Sequence, residues 1–276
     1  MSEIENLGAP LQVGAALKRA YSAFLANFVS FNLLGLLVGI PGLLLIVLMV
    51  FALGLGAFAL LPVDGTAEAE LPDFGIVHFL GMIGIGVLGL SIPYIMVAVV
   101  VHGTLQHLRG NKPRVFSSLK AGLHRVVPVV LVSFIVGVLF SVGWMLFVIP
   151  GVIIALMFCV AVPVVMVEQR GVFASLTRSR ALTRGQRWRI LGLLLLAMAL
   201  VMLVMMVLMV PVQILTALLS GYPVIGTLVK VVLLLLPLAL QLFIAVFFAV
   251  LLGVIYHDLR VAKEGVSTDQ IAAVFD

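Results

Sequence analysis

The stretch Arg187-Trp188-Arg189-Ile190-Leu191-Gly192-Leu193-Leu194-Leu195-Leu196-Ala197-Met198-Ala199-Leu200-Val201 decides the class of this chain. A basic, aromatic edge runs straight into an apolar segment that continues uncharged to about Leu218. Crossing the hydrocarbon layer takes about 20 apolar residues, so this run is long enough to span a membrane. The same edge-then-run pattern recurs along the chain. All but one of the 16 Lys and Arg residues fall in four patches: Lys18-Arg19, Arg109 to Arg125, Arg170 to Arg189, and Arg260-Lys263. Alternate crossings put those four patches on one side, and the positive-inside rule makes that side cytoplasmic.

Composition agrees. In 276 residues, 64% are apolar and 10% charged, too much apolar surface for a soluble domain to cover. Six spans are expected, at about 29–61, 76–101, 127–148, 150–167, 189–218 and 224–256. The fold expected is therefore an all-α integral membrane protein with both termini cytoplasmic. Residues 1–28 read as an N-terminal interfacial segment, 29–257 as the transmembrane domain, and 258–276 as a cytoplasmic tail. The net charge of +5 could suggest nucleic acid, but the cations cluster at span ends, where topology and anionic headgroups explain them. No nucleic-acid partner is expected. The acidic start, Met1-Ser2-Glu3-Ile4-Glu5, does not read as a cleavable signal peptide.

The connection Pro62–Gly75 carries Asp64, Glu68, Glu70 and Asp73 and no cation, and belongs on the outer face. Ile149-Pro150-Gly151 and Ser220-Gly221-Tyr222-Pro223 read as short outer turns. Three of the basic patches also have helical apolar spacing: Leu17, Ala20, Phe24 and Phe28; Phe116, Leu119, Leu123 and Val126; Phe173 and Leu176, with Gly185 as a C-terminal stop. Each predicts an amphipathic helix in the inner interface, apolar side toward lipid. The resulting unit of interfacial helix, outward span, turn and inward span occurs three times. Duplication or convergent composition accounts for it equally.

Within the spans, small residues four apart mark close helix contacts: Ser133, Gly137 and Ser141; Ala245, Ala249 and Gly253; Gly35 and Gly39. Pro41, Pro93, Pro163, Pro211 and Pro237 predict bends. Cys159 reads as a small core residue. Lys230 is the lone candidate intramembrane charge; it either snorkels to the outer headgroups or meets Gln213 across the last turn.

An enzyme needs convergent catalytic groups. His78, His102, His107, His124 and His257 lie near span ends or in loops, with His107-Leu108-Arg109 read as a loop and His257-Asp258 as an interfacial pair. No catalytic, metal-binding or nucleotide motif occurs, so no catalytic residue, metal or cofactor is expected.

The segment Gly171 to Gly192 contains Ser179-Arg180-Ala181-Leu182-Thr183-Arg184-Gly185-Gln186-Arg187-Trp188-Arg189. It resembles the S-x-x-L-T-x-G-x-x-W-x connector of the YciC-type bacterial inner-membrane proteins. That family is related to the membrane domain accompanying glycerophosphoryl diester phosphodiesterases. Ile149-Pro150-Gly151-Val152-Ile153 and Ala161-Val162-Pro163 leading to Glu168 carry the likeness over about 115–255. The resemblance implies a six-span cytoplasmic-membrane protein; it supplies no catalytic residue, and the phosphodiesterase barrel of some relatives is absent from these short polar segments.

These observations lead to a non-enzymatic inner-membrane protein that binds anionic phospholipid, or a partner membrane protein, at its cytoplasmic face. The expected contact residues are Arg178, Arg180, Arg184, Arg187, Trp188 and Arg189, with Lys112, Lys120 and Arg125 on the preceding basic helix. The alternative is a transporter or channel for a lipid-like or apolar molecule, which requires a cavity between spans.

Overall fold

The computed structural model describes residues 11–59, 75–219 and 223–265, with the side chains of 52–59, 77, 78, 88, 90, 216, 219, 223–235 and 238 outside the description. Among these residues every regular element is helical: α1 (Val13–Ala26), α2 (Phe28–Ala59), α3 (Ile76–Leu108), α4 (Val115–His124), α5 (Val126–Leu146), α6 (Val148–Phe158), α7 (Ala161–Glu168), α8 (Val172–Thr183), α9 (Arg187–Leu219) and α10 (Pro223–Glu264). Six helical stretches are long and apolar enough to cross a membrane: α2, α3, α5, α6 with α7, α9 and α10. This is a multi-pass, all-α membrane protein. The element order repeats three times as a short helix followed by two spans: α1-α2-α3, α4-α5-α6/α7 and α8-α9-α10.

The four basic patches meet at one end of the bundle, here the basic end. Arg19 of α1 pairs with Asp258 of α10, Arg125 donates to Gln169 after α7, and Arg178 of α8 pairs with Glu264 of α10. Asn27, between α1 and α2, bonds His107 at the end of α3 across 2.9 Å. Buried apolar residues concentrate toward this end: Ala98 to Val101 on α3, Val160 to Val167 through α7, Ile190 and Leu193 on α9, and Val254 and Ile255 on α10. Farther along, α2, α5 and α9 leave most described apolar side chains exposed. That surface suits lipid, where apolar residues gain nothing by turning inward.

Close contacts fall where small residues permit them. A Cβ on Gly35 would come within 2.6 Å of Val246 Cγ2, and one on Gly253 within 3.1 Å of the Thr104 side chain. Ser133 and Gly137 are buried as the small-residue pattern predicts, whereas Ser141 is exposed. Two buried polar side chains within the spans bond back to their own helices: Asn32 Nδ2 donates to the Phe28 carbonyl, and the Thr104 hydroxyl to that of Val100. With no water in the hydrocarbon layer, such local bonds are what satisfies them.

Several boundaries differ from the sequence reading. The α5–α6 reversal occurs at extended Phe147, while Ile149-Pro150-Gly151 forms the first turn of α6. Proline is tolerated there because first-turn N–H groups have no helical partner. Gly151 and Gly143 let the two backbones touch. His107 and Leu108 complete α3 rather than forming a loop. The fourth span breaks at Cys159-Val160: Pro163 has no N–H for the Cys159 carbonyl and its ring crowds that carbonyl. At the other end α10 continues to Glu264, so residues 258–264 belong to the packed bundle instead of a free tail. The acidic connection up to Phe74, the turn residues Ser220 to Tyr222, and the chain beyond Gly265 lie outside the described residues.

The short helices are not simply laid on lipid. α1 buries Ala16, Ala20, Ala23 and Phe24, with Phe24 edge-on to Phe247 of α10 and Phe28 tilted against Phe243. α4 buries Ser118 and Gly122 against α3 and turns Phe116 and Leu123 outward. α8 buries Ser175, Leu176, Ser179, Leu182 and Thr183, with Phe173 outward.

The Gly143–Gly151 contact gives a direct test. Gly143→Leu adds atoms within 3.1 Å of the Gly151 backbone, which cannot rotate away. It should destabilise by about 1–3 kcal/mol, the usual cost of overpacking. Gly86→Leu, with open space around its Cβ position, should leave the melting temperature in detergent unchanged.

Candidate functional site: the basic end

Glu168 ends α7 among cations, and its side chain is only 6% exposed. A buried carboxylate must be paired. Arg178 Nε lies 3.0 and 3.1 Å from its two oxygens, Arg170 Nε 2.9 Å away, and the buried Tyr256 hydroxyl donates to it at 3.3 Å. Arg178 also pairs with Glu264, which Arg260 grips at 3.0 Å. The chain Arg170–Glu168–Arg178–Glu264–Arg260 thus ties α7 and α8 to the end of α10. Arg109, just past α3, sits beside it: burial and the like charge of Arg260 hold its guanidinium below the usual value.

A second buried carboxylate, Asp258, faces α1. Arg19 Nη2 meets it at 2.7 Å, while His257 Nδ1 is 3.4 Å away. The adjacent His257 and Asp258 therefore do touch, but the close partner is Arg19 on another helix.

α8 is held from beneath by the break in the fourth span. Ser179 Oγ donates to the Met157 carbonyl at 2.9 Å and Thr183 Oγ1 to the same oxygen at 3.4 Å, while Leu182 is buried beside them. Irregular backbone at this depth needs side-chain donors, and α8 brings them. So Ser179, Leu182 and Thr183, the residues that make the connector sequence distinctive, serve docking. Gly185 follows α8 at φ +85°, a left-handed turn that glycine adopts without strain, and α9 starts two residues later.

The expected contact residues now divide. Arg178 is committed to Glu168 and Glu264 and only 21% exposed. Arg125 is committed to Gln169 at 2.7 Å. Arg180, Arg184 and Arg189 are exposed, Arg187 is half-buried, and Trp188 is 83% exposed. Among the described residues no carboxylate pairs with any of these four arginines, and the Arg187 Nε is buried without a hydrogen-bond partner. Arg184 and Arg187 share a positive field with Arg178 and Lys263, whose ammonium donates to the Ala181 carbonyl. Lys112 and Lys120 are exposed, but α4 packs on α2, α3 and α5, so they form a separate basic surface. Gln213 is exposed on α9, and the Lys230 side chain lies outside the described residues.

Sequence reasoning missed the acidic half of this end. Glu168, Asp258 and Glu264 are acids at span ends on the side where cations predominate. That exception to the charge rule was the available signal. Among the described residues no group of three His, Cys, Asp or Glu converges as a metal site. His102 instead meets Ser118 at 3.2 Å and His107 meets Asn27, each joining two elements.

Removing the Glu168 carboxylate should expose this division. Glu168→Ala leaves Arg178 and Arg170 without their buried partner. The loss should lie between the ~1 kcal/mol of an exposed pair and the roughly 3–5 kcal/mol of a buried one. Arg184→Ala should be nearly silent in the same thermal unfolding measurement.

Compared with protein-family models, curated proteins and solved structures, the chain matches none, so its own residues carry the functional inference.

Proposed function

We propose that this is a non-enzymatic protein of the bacterial inner membrane, with both termini cytoplasmic, that binds anionic phospholipid headgroups at its basic end. The observation that carries this reading is the division of the arginines. Arg178, Arg19 and Arg125 are used up in internal pairs, whereas Arg180, Arg184, Arg187 and Arg189 have no acidic partner among the described residues. A cluster of like charges stays together at a cost unless an anion joins it. Trp188, largely exposed at the start of α9, suits the headgroup layer as an interfacial anchor. Phe173 and Phe116, also exposed, add apolar contact at the same boundary. A partner membrane protein presenting carboxylates would use the same surface. This reading keeps the chain with the YciC-type inner-membrane proteins, on the strength of its α8–α9 connector.

Each juxtamembrane cation contributes about 1 kcal/mol against an anionic leaflet, so the paired change Arg184→Gln with Arg187→Gln should weaken phosphatidylglycerol binding about 30-fold. Native mass spectrometry of the detergent-purified protein, titrated with phosphatidylglycerol and with phosphatidylcholine, reads this. Equal retention of both lipids by the unchanged protein would contradict the proposal.

A further inference from the structure

α9 carries one stripe facing the bundle, but only part of it meets protein. Ile190, Leu193 and Ala197 are buried, whereas Val204, about two helical turns farther along the same stripe, is 55% exposed. Beyond Ala197, α9 parts from α1 and α10 and leaves a cleft of about 600 Å³ between the three helices. That size falls in the ~300–1,000 Å³ range of ligand pockets. The walls are apolar: Phe24 from α1, Val201 and Val204 from α9, and Phe243 and Phe247 from α10.

Polar side chains in the lining come from one place, Lys18 and Tyr21 on α1. Both are exposed, and no acidic side chain pairs with Lys18 among the described residues. The neighbouring Arg19, in contrast, is held by Asp258 at the basic end. The cleft therefore has a cationic mouth at the basic end and an aromatic, aliphatic body running toward the opposite end. A phospholipid has that same order: an anionic head at the interface, then acyl chains.

We infer that the α1–α9–α10 cleft is a binding site for one anionic phospholipid, with its phosphate on Lys18 and an acyl chain between Phe247 and Val204. The inference rests on the proposed lipid-binding role and assigns it a defined place, separate from the arginines of the α8–α9 turn. Lys18 supplies charge complementarity; Tyr21 supplies a hydroxyl at the mouth. The occupant is a lipid and not a second copy of the chain, because a single cation stands among otherwise aliphatic and aromatic walls drawn from three helices, which matches one charged head with apolar chains.

The test uses the full chain in detergent, titrated with phosphatidylglycerol and phosphatidylcholine and read by native mass spectrometry. Val204→Trp fills the cleft and should remove one tightly retained lipid, while Arg184→Gln with Arg187→Gln leaves that lipid in place. Lys18→Glu should weaken retention of phosphatidylglycerol about ten-fold or more relative to phosphatidylcholine. Melting temperature and helical content serve as folding controls. Should Val204→Trp fail to fold, Ile244→Trp, on the opposite wall, takes its place. Unchanged lipid stoichiometry in a folded cleft-filling variant overturns the inference, as does a lipid-free dimer that the variant dissociates. Loss of all lipid in the double-arginine variant, with none retained in the cleft, overturns it too. Loss confined to the cleft variants supports it even if the arginines prove silent.

Discussion

The basic end depends on the Glu168 carboxylate. A carboxylate held at 6% exposure cannot stand alone, and the cations it collects come from α8 and from the turn before α8, with a hydroxyl from α10. Arg178, once drawn to Glu168, also reaches Glu264, and Glu264 brings in Arg260. Asp258 repeats the device nearly two turns before Glu264 on α10, recruiting Arg19 from α1. Helices that gain little from apolar contact in lipid are thereby joined where charges can be paired. Toward the opposite end, most described apolar side chains of α2, α5 and α9 stay outward.

That arrangement sorts the cations by what is left to them. Those facing Glu168, Asp258, Glu264 or Gln169 are structural. Those on the outer side of α8, on the first turn of α9 and at Lys18 have no acid in reach among the described residues. The same geometry shapes the apolar part. α9 is fixed near the basic end through Ile190, Leu193 and Ala197, and beyond them it diverges, opening the cleft beside α1 and α10. Cations at the basic end and an apolar cleft beside them offer charge and apolar surface in the sequence that a lipid presents them.

Much of the fold was legible in the chain itself. Spans follow from length and the absence of charge, as in the run from Ile190 to Leu218, and need no tertiary information. The meeting of the four basic patches follows from alternation, and the Arg19–Asp258 and Arg178–Glu264 pairs show it in space. Gly35, Ala249 and Gly253 were readable as contact points because only small side chains let helices approach. What was not legible depends on partners distant in sequence. Arg178 looked like its neighbours Arg180 and Arg184 until Glu168 and Glu264 came beside it. The break at Cys159 needed both the proline at 163 and the α8 hydroxyls that accommodate it. Phe147 gave no turn signal, whereas the Pro150-Gly151 pair drew attention to the following residues.

Hydrogen exchange of the full chain in nanodiscs, phosphatidylglycerol against phosphatidylcholine, reads anionic-lipid binding at the basic end. Exchange should slow from Arg184 to Arg189 and around Lys18 in the anionic lipid, with the α5–α6 hairpin unchanged. Identical exchange at the α8–α9 turn in the two lipids would contradict it.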